Sequence, residues 1–377
     1  MDNDIAAAFD GDLSEVFDVS ADHETIVEAF ERNTYRGRAY YHLSKARHGI
    51  ERGTAIVDDT VVRGFPSIPR ILVLDPGIPE FFDGSVAIEE KLNGYNVRIA
   101  RADGEVFGFT RSGYICPFTT ALAREDPFAS FLDAYPDYTV CGELIGPKNP
   151  YTAHEYEGVE EAELRVFDLR TNTSGVPMPV QERQELCDRH GLPSTPAFGV
   201  HEPSEAIEAT ERVIEDLDER GREGVVLKSL DGSRQVKYTT SAIHRNDLAH
   251  AFGQPFDYGR EFLFSRVIRE AFQAAELDES EAATRERARA LGEAILLPAV
   301  EAIETVEQGD KPGDRHVVRG EPIVIESLLA QFYSFSLELE IHEDYYEDGE
   351  RVVEFTKVAD ASRNKIEHFL AGGTIDQ

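Results

Sequence analysis

The chain has 377 residues, with 38 Lys plus Arg against 72 Asp plus Glu and a formal net charge of −34. No run approaches the roughly eighteen consecutive apolar residues of a membrane span, and the acidic start Met1-Asp2-Asn3-Asp4 lacks the apolar core of a secretory signal, so a cytoplasmic protein with no membrane partner is expected. Cys116, Cys141 and Cys187 are widely spaced and form no CxxC pair, which argues against a zinc site or a disulfide framework and for reduced structural thiols.

The negative charge is spread along the whole chain. That is the pattern of a protein built for a very salty cytosol, where the Debye length falls to about 3 Å at ~1 M salt and self-repulsion is screened. A halophilic source is expected, with an ordinary acidic cytosolic protein as the plain alternative. Salt also weakens phosphate contacts, so any nucleic-acid binding must rely on a local cleft.

At this length roughly two to four domains are expected. Ile26 to Arg52 reads as mixed helix and strand, and Gly64-Phe65-Pro66 and Asp75-Pro76-Gly77 read as turns. From Val86 the alternation becomes β: Val86 and Ile88, then Tyr95, Val97 and Ile99, an Asp103-Gly104 turn, and Val106, Phe107 and Phe109, which predict an antiparallel hairpin. Residues 204–220 predict a helix with Ser204 as N-cap, Ile207, Val213, Ile214 and Leu217 on one face, and Gly221 as its end. A buried hairpin follows, Val225-Val226-Leu227 and Val236-Lys237-Tyr238 around Asp231-Gly232. Residues 260–309 have helical spacing, broken at Pro298, and Pro322 to Phe355 looks mixed. Boundaries near 62, 245 and 312 divide the chain into 1–61, 62–244, 245–311 and 312–377.

The chemical signal is Glu90-Lys91-Leu92-Asn93-Gly94-Tyr95-Asn96. A free lysine titrates near 10.4, so a nucleophilic one needs desolvation, neighbouring cations or a metal. Alone, K-x-N-G describes equally well a strand-end lysine before a turn. It is followed in order by Thr110-Arg111-Ser112-Gly113, Cys141-Gly142-Glu143-Leu144, Val166-Phe167-Asp168-Leu169, Glu223-Gly224-Val225-Val226-Leu227-Lys228 and Val236-Lys237-Tyr238. Over residues 89–238 this ordered set resembles the motifs of the covalent nucleotidyltransferase superfamily of DNA ligases, RNA ligases and capping enzymes.

The resemblance implies that Lys91 attacks the α-phosphate of ATP, expels pyrophosphate and carries AMP as a phosphoramide. Charge then develops on phosphate oxygens, for cations and a metal to stabilise. Lys237 and Lys228 would supply the cations, and Glu223 a hard oxygen ligand for Mg2+ or Mn2+. Phe167 would stack on adenine, Glu143 would accept from a ribose hydroxyl, Glu89 would recognise the adenine amino group, and Arg111 would contact phosphate or ribose. For Phe167, Glu143 and Arg111 the plain alternatives are core packing, a β-edge acid and a solvated strand residue.

Asn93 and Asn96 stand where many DNA ligases and capping enzymes have Asp and Arg; Asn96 is similar to the K-x-H-G-x-N of phage RNA-repair ligases. Thr239 stands where the superfamily usually has a second lysine. With Arg63-Gly64-Phe65-Pro66, residues 90–98, Gly142-Glu143-Leu144-Ile145-Gly146-Pro147 and Asn149-Pro150-Tyr151, the whole chain resembles archaeal ATP-dependent RNA ligases. That family resemblance implies an α+β protein: an N-terminal module, an antiparallel-sheet adenylation core, a helical dimerisation segment and a small C-terminal domain. It also implies a homodimer that joins, and circularises, RNA with 5′-phosphate and 3′-hydroxyl ends. The alternatives are a DNA ligase, an RNA 5′-adenylating enzyme, or an RNA-binding protein that has lost catalysis; intact Lys91, Glu143, Glu223 and Lys237 argue against the last.

Overall fold

The computed structural model describes residue 9, residues 11–152 and residues 154–374. Strands in its four sheets pair only antiparallel. Two short helices come first, α1 (Leu13–Phe17) and α2 (His23–Ala29). Asp12 and Asp22 cap them, their carboxylates accepting from the amides of Ser14 and Thr25. A meander of β1 (Glu31–Tyr35), β2 (Arg38–His42), β3 (Ala55–Val57) and β4 (Thr60–Val62) follows.

The centre is a pair of four-stranded sheets. After α3 (Gly77–Phe81) come β5 (Val86–Lys91), β6 (Tyr95–Ala102), β7 (Glu105–Thr110), helices α4 (Pro117–Ala123) and α5 (Phe128–Ala134), β8 (Tyr138–Ile145) and β9 (Glu163–Thr171). Then come α6 (Val180–His190), β10 (Ala197–His201), α7 (Pro203–Glu219), β11 (Gly224–Ser229) and β12 (Gln235–Thr239). The expected β6–β7 hairpin forms, with Asp103 and Gly104 both at positive φ in its turn. β5 does not join that hairpin. It crosses to the other sheet, giving the orders β10-β5-β11-β12 and β7-β6-β8-β9. Gly94 makes the crossing possible by its small size, since a Cβ there would lie 2.4 Å from the carbonyl oxygen of Leu144.

Helix α7 begins one turn position earlier than the sequence suggests. Glu202 is its N-cap and Pro203 its first residue, where a missing N–H costs nothing, so Ser204 is not the cap. Gly221 follows it at positive φ. Beyond the sheets run α8 (Ser241–Gly253), α9 (Arg260–Glu276) and α10 (Glu281–Glu307). Pro298 does not end α10; the helix continues through it, forgoing one backbone hydrogen bond. A three-stranded sheet of β13 (Gly313–Gly320), β15 (Glu350–Val358) and β14 (Leu339–Glu347) closes the chain with α11 (Pro322–Ser334) and α12 (Asp360–Leu370).

Ile325, Leu328, Leu329 and Phe332 on α11, with Val353 and Phe355, are buried in the same core cluster as Val97, Val140, Leu144 and Val166 of the central sheet. The C-terminal residues therefore brace the sheet carrying β6, β8 and β9. The other central sheet packs Ile88, Val225, Leu227 and Val236 against Ile214 and Leu217 of α7. All three cysteines are buried and unpaired.

Candidate active site

Register places the motif residues on one surface. Glu89 pairs with Val226 and Val226 with Lys237; Lys91 pairs with Gly224 and Gly224 with Thr239; Ala87 pairs with Lys228 and Lys228 with Gln235. Side chains two apart along a strand share a face. Glu89, Lys91, Lys228, Lys237 and Thr239 thus form rows across β5, β11 and β12. The facing sheet contributes Asn96 of β6 and its cross-strand partner Glu143 of β8. A cleft of about 310 Å3 lies between the sheets, and its lining includes Glu89, Lys91, Asn96, Arg111, Glu143, Phe167, Glu223, Lys228 and Lys237.

The pairing of Lys91 with Gly224 brings Glu223 beside the lysine. Lys91 Nζ donates to Glu223 Oε2 at 2.7 Å. Gly224 sits at φ +143, with Tyr238 O 2.3 Å from where a Cβ would be, so only glycine fits this crossing of β11 and β12. Burial raises the Glu143 carboxyl to about 7, opposed by the Lys91 charge and reinforced by Glu223. Burial, then the charges of Arg70 and Lys91, lower the Lys237 ammonium to about 8. Arg111 is exposed at the mouth, and its guanidinium makes no hydrogen bond to the described residues. Phe167 is half-buried and braced edge-on by Phe65, ring centroids 5.0 Å apart.

Several groups in this cleft await partners. Asn96 Oδ1, Thr195 Oγ1 and Gln235 Oε1 are buried without a hydrogen bond, and all three residues line the cleft. A nucleotide, with its many donors and acceptors, fits such a lining. Among the described residues no group of three His, Cys, Asp or Glu forms a ready metal site. Glu223 is the kind of hard oxygen donor that could hold Mg2+ or Mn2+ together with nucleotide phosphates and water, which takes one or two carboxylates and no dedicated cage.

A family model for RNA ligases matches residues 84–240, and one for the C-terminal region of the ligase Pab1020 matches residues 250–373. A structure of an archaeal ATP-dependent RNA ligase, in its second form, is 38% identical with TM-score 0.90 and covers 100% of both chains. The first form is 37% identical with the same score and coverage. An uncharacterised protein of Methanocaldococcus jannaschii is 43% identical over 297 residues, 75% of each chain. The chain belongs to the archaeal ATP-dependent RNA ligase family. A putative ATP-dependent DNA ligase from Aquifex aeolicus shares the fold at TM-score 0.87 and 27% identity, covering 93% of this chain and 98% of that one.

Two residues of this RNA ligase are engaged differently from the sequence expectation. Lys228 is buried, donating to Glu89 Oε2 at 2.8 Å and to the Phe167 carbonyl at 2.6 Å. Its charge is thus taken up by Glu89 beside Phe167 at the base of the cleft. Glu89 is 1% exposed, and both its oxygens are taken by Lys228 and by Arg183. Burial would raise its carboxyl, but Lys228 and then Arg183 hold it down at about 2. Glu89 therefore anchors two cations before it can meet an adenine amino group.

Arg183 was missed in the sequence. It lies on the buried face of α6 with Val180, Leu186 and Cys187, and it also donates to the Phe167 carbonyl. A charged residue at a core position of an otherwise amphipathic helix was the available signal. Arg98 is another fully buried cation, donating to the carbonyls of Arg63 and Thr110 at 2.7 Å each.

Proposed function

We propose that this ATP-dependent RNA ligase works through a lysyl-AMP on Lys91, and that it joins RNA 5′-phosphate to 3′-hydroxyl ends. The observation that carries the reading is the row Lys91–Gly224–Thr239 beside Glu223 and Lys237, at the floor of a cleft where Asn96 Oδ1, Thr195 Oγ1 and Gln235 Oε1 have no hydrogen-bond partner among the described residues. Phe65 sets the Phe167 ring for stacking on adenine. Glu143, held near neutrality, exchanges a hydrogen bond with the ribose. Lys237 and Arg111 face the phosphates. When bound, a divalent cation held by Glu223 would draw negative charge off the α-phosphate. Lys91 first gives up its ammonium proton to solvent; the neutral amine attacks the α-phosphorus, the bond to pyrophosphate breaks, and a second proton leaves the nitrogen to solvent. The RNA 5′-phosphate then takes AMP from Lys91. Finally the 3′-hydroxyl attacks the activated phosphate and releases AMP.

Residues 1–61 are read as an N-terminal module, 62–244 as the adenylation domain, 245–311 as a helical dimerisation unit and 312–377 as a C-terminal domain that props the β6–β8–β9 core. A homodimer, RNA circularisation and a high-salt cytosol complete the proposal. The test is incubation with α-labelled ATP and Mg2+ or Mn2+, followed by denaturation. Label stays on the wild-type protein and is absent from Lys91→Ala, which still seals pre-adenylated RNA. Substantial label on Lys91→Ala overturns the assignment.

A further inference from the structure

We propose that Arg70 and Arg269 form, with Lys237, a second phosphate-binding subsite next to Lys91, so that the helical unit contributes a cation to the catalytic cleft. The proposal rests on nucleotidyl transfer at Lys91.

The segment before α3 runs along the outer edge of β12. Lys237 N donates to Pro69 O at 3.0 Å, and Ile71 N donates to Lys237 O at 3.2 Å. Phe65, Pro66 and Ile68 of this segment line the cleft itself. Arg70 follows them, and its guanidinium donates to the Thr239 hydroxyl. Thr239 closes the row that runs through Gly224 to Lys91. Adjacent strands lie about 4.8 Å apart, and Gly224 has no side chain. Arg70 and Lys91 both lie close enough to act on the Lys237 ammonium, and Glu223, the partner of Lys91, acts on Arg70 as well.

Arg269 comes from α9 and lines one narrow crevice with Arg70, Thr239 and His244. Its guanidinium donates only to Ser265 Oγ, at 3.4 Å, and neither arginine pairs with a carboxylate among the described residues. This contrasts with neighbouring Arg266, paired with Asp247 at 2.8 Å, and with Arg287, paired with Glu270 at 2.6 Å. Both arginines are partly buried. Burial, and then repulsion from Arg269, lowers Arg70 to about 10. The acids near both arginines, Glu223 and Asp247, are already paired with Lys91 and Arg266, and guanidinium groups crowded together without an acid of their own are a site for a multivalent anion. Thr239 is held in place by His244, which donates to or accepts from it at 2.7 Å and is itself fixed by Glu270 at 2.7 Å. The ligand class is a phosphate oxyanion, either the departing pyrophosphate of ATP or the RNA 5′-phosphate.

The experiment uses the full-length protein with Arg70→Ala, Arg269→Ala and the Lys replacement at each position. Three rates are read: labelling by α-labelled ATP, transfer from purified lysyl-AMP protein to 5′-phosphorylated RNA, and sealing of pre-adenylated RNA. Each Ala variant loses about ten- to hundredfold in one of the first two, as loss of a charge-assisted contact predicts, and Lys restores part of it. A labelling loss with a raised ATP requirement assigns the subsite to pyrophosphate. A loss confined to transfer assigns it to the RNA phosphate. Wild-type rates in both steps overturn the proposal, as does an equal loss in all three steps that Lys does not restore. Should an Ala variant not fold by circular dichroism, the Gln variant at that position decides in its place. No label on the wild-type protein would instead defeat the lysyl-AMP reading.

Discussion

Lys91 and Glu223 are joined by a 2.7 Å ion pair because Lys91 and Gly224 are register partners on adjacent strands. The carboxylate meets the nucleophile directly and is the residue proposed to hold a divalent cation. Glu223→Gln keeps a polar partner for Lys91 but removes the charge. Labelling by α-labelled ATP is expected to fall about ten- to hundredfold, with a higher metal concentration needed for half-maximal rate. Wild-type labelling at low metal would remove Glu223 from the mechanism.

Lys237 makes the reaction sensitive to alkali. Its ammonium titrates near 8, lowered by burial and then by Arg70 and Lys91. A cation facing phosphate is therefore lost as pH rises through about 8, and labelling should decline there. Lys237→Arg, whose guanidinium stays charged, should move that decline upward. Stability runs the other way. The unfolded chain holds this proton up to about 10.4, so between about 8 and 10.4 it binds more protons than the folded chain, and folding stability rises with pH. A pH–rate profile of both proteins, beside their thermal unfolding, tests the pair of trends. An identical alkaline limb in Lys237→Arg would exclude Lys237 as its cause.

Strand pairing carried the site, and strand pairing was legible where residues alternate. Val86, Ile88, Tyr95, Val97 and Ile99 predicted strands, and the ordered motifs predicted that Lys91, Glu143, Glu223 and Lys237 converge on one cleft, as they do. Which sheet each strand joins was not legible. β5 leaves the hairpin pattern because Gly94 allows a backbone approach to Leu144 that no local period reports. The partners of Glu89 and Lys228 were hidden for a similar reason, since Arg183 lies 94 residues along the chain from Glu89. Pro298 misled because an exposed helix tolerates one lost hydrogen bond. The stretch from Pro322 looked mixed but opens with α11, where Ile325 is buried and Ile323 is exposed.

The buried Glu89–Arg183–Lys228 cluster supports the part of the cleft that carries Phe167. Removing one partner of a buried pair leaves the other charge unsatisfied and costs about 3–5 kcal/mol. Arg183→Ala should therefore lower stability by that order, in denaturant unfolding followed by circular dichroism. ATP binding should weaken with it, because the Phe167 carbonyl loses a donor. The depressed Glu89 carboxyl contributes stability that is present above the usual carboxylate range and is lost as pH falls toward about 2. In Arg183→Ala, Glu89 loses part of that depression, so the variant should lose less stability than the wild type as pH falls, and the gap between the two should narrow in acid. A loss under ~1 kcal/mol would show the cluster to be dispensable for the fold.

The helical unit leaves apolar surface uncovered. Leu296, Val300 and Ile303 lie at i, i+4 and i+7 of α10, forming one stripe, and are 63%, 42% and 41% exposed; Phe264 on α9 is 67% exposed. Part of α10 does pack on its own chain, since Ala302 and Val306 contact Ile366 of α12. The stripe beside them has no such cover. Exposed aliphatic side chains in this number mark an interaction surface, and a two-fold contact between copies covers the same patch twice. The protein is expected to run at twice the 42.1 kDa chain mass in light scattering. Salts excluded from protein surfaces strengthen apolar burial, so the dimer should persist in molar salt, where an interface of surface ion pairs would be screened. Leu296→Glu with Ile303→Glu should give a folded monomer, because neither side chain is part of the buried core. A single species near 42.1 kDa for the unmodified chain, across micromolar concentrations and in molar salt, would exclude self-association through this face.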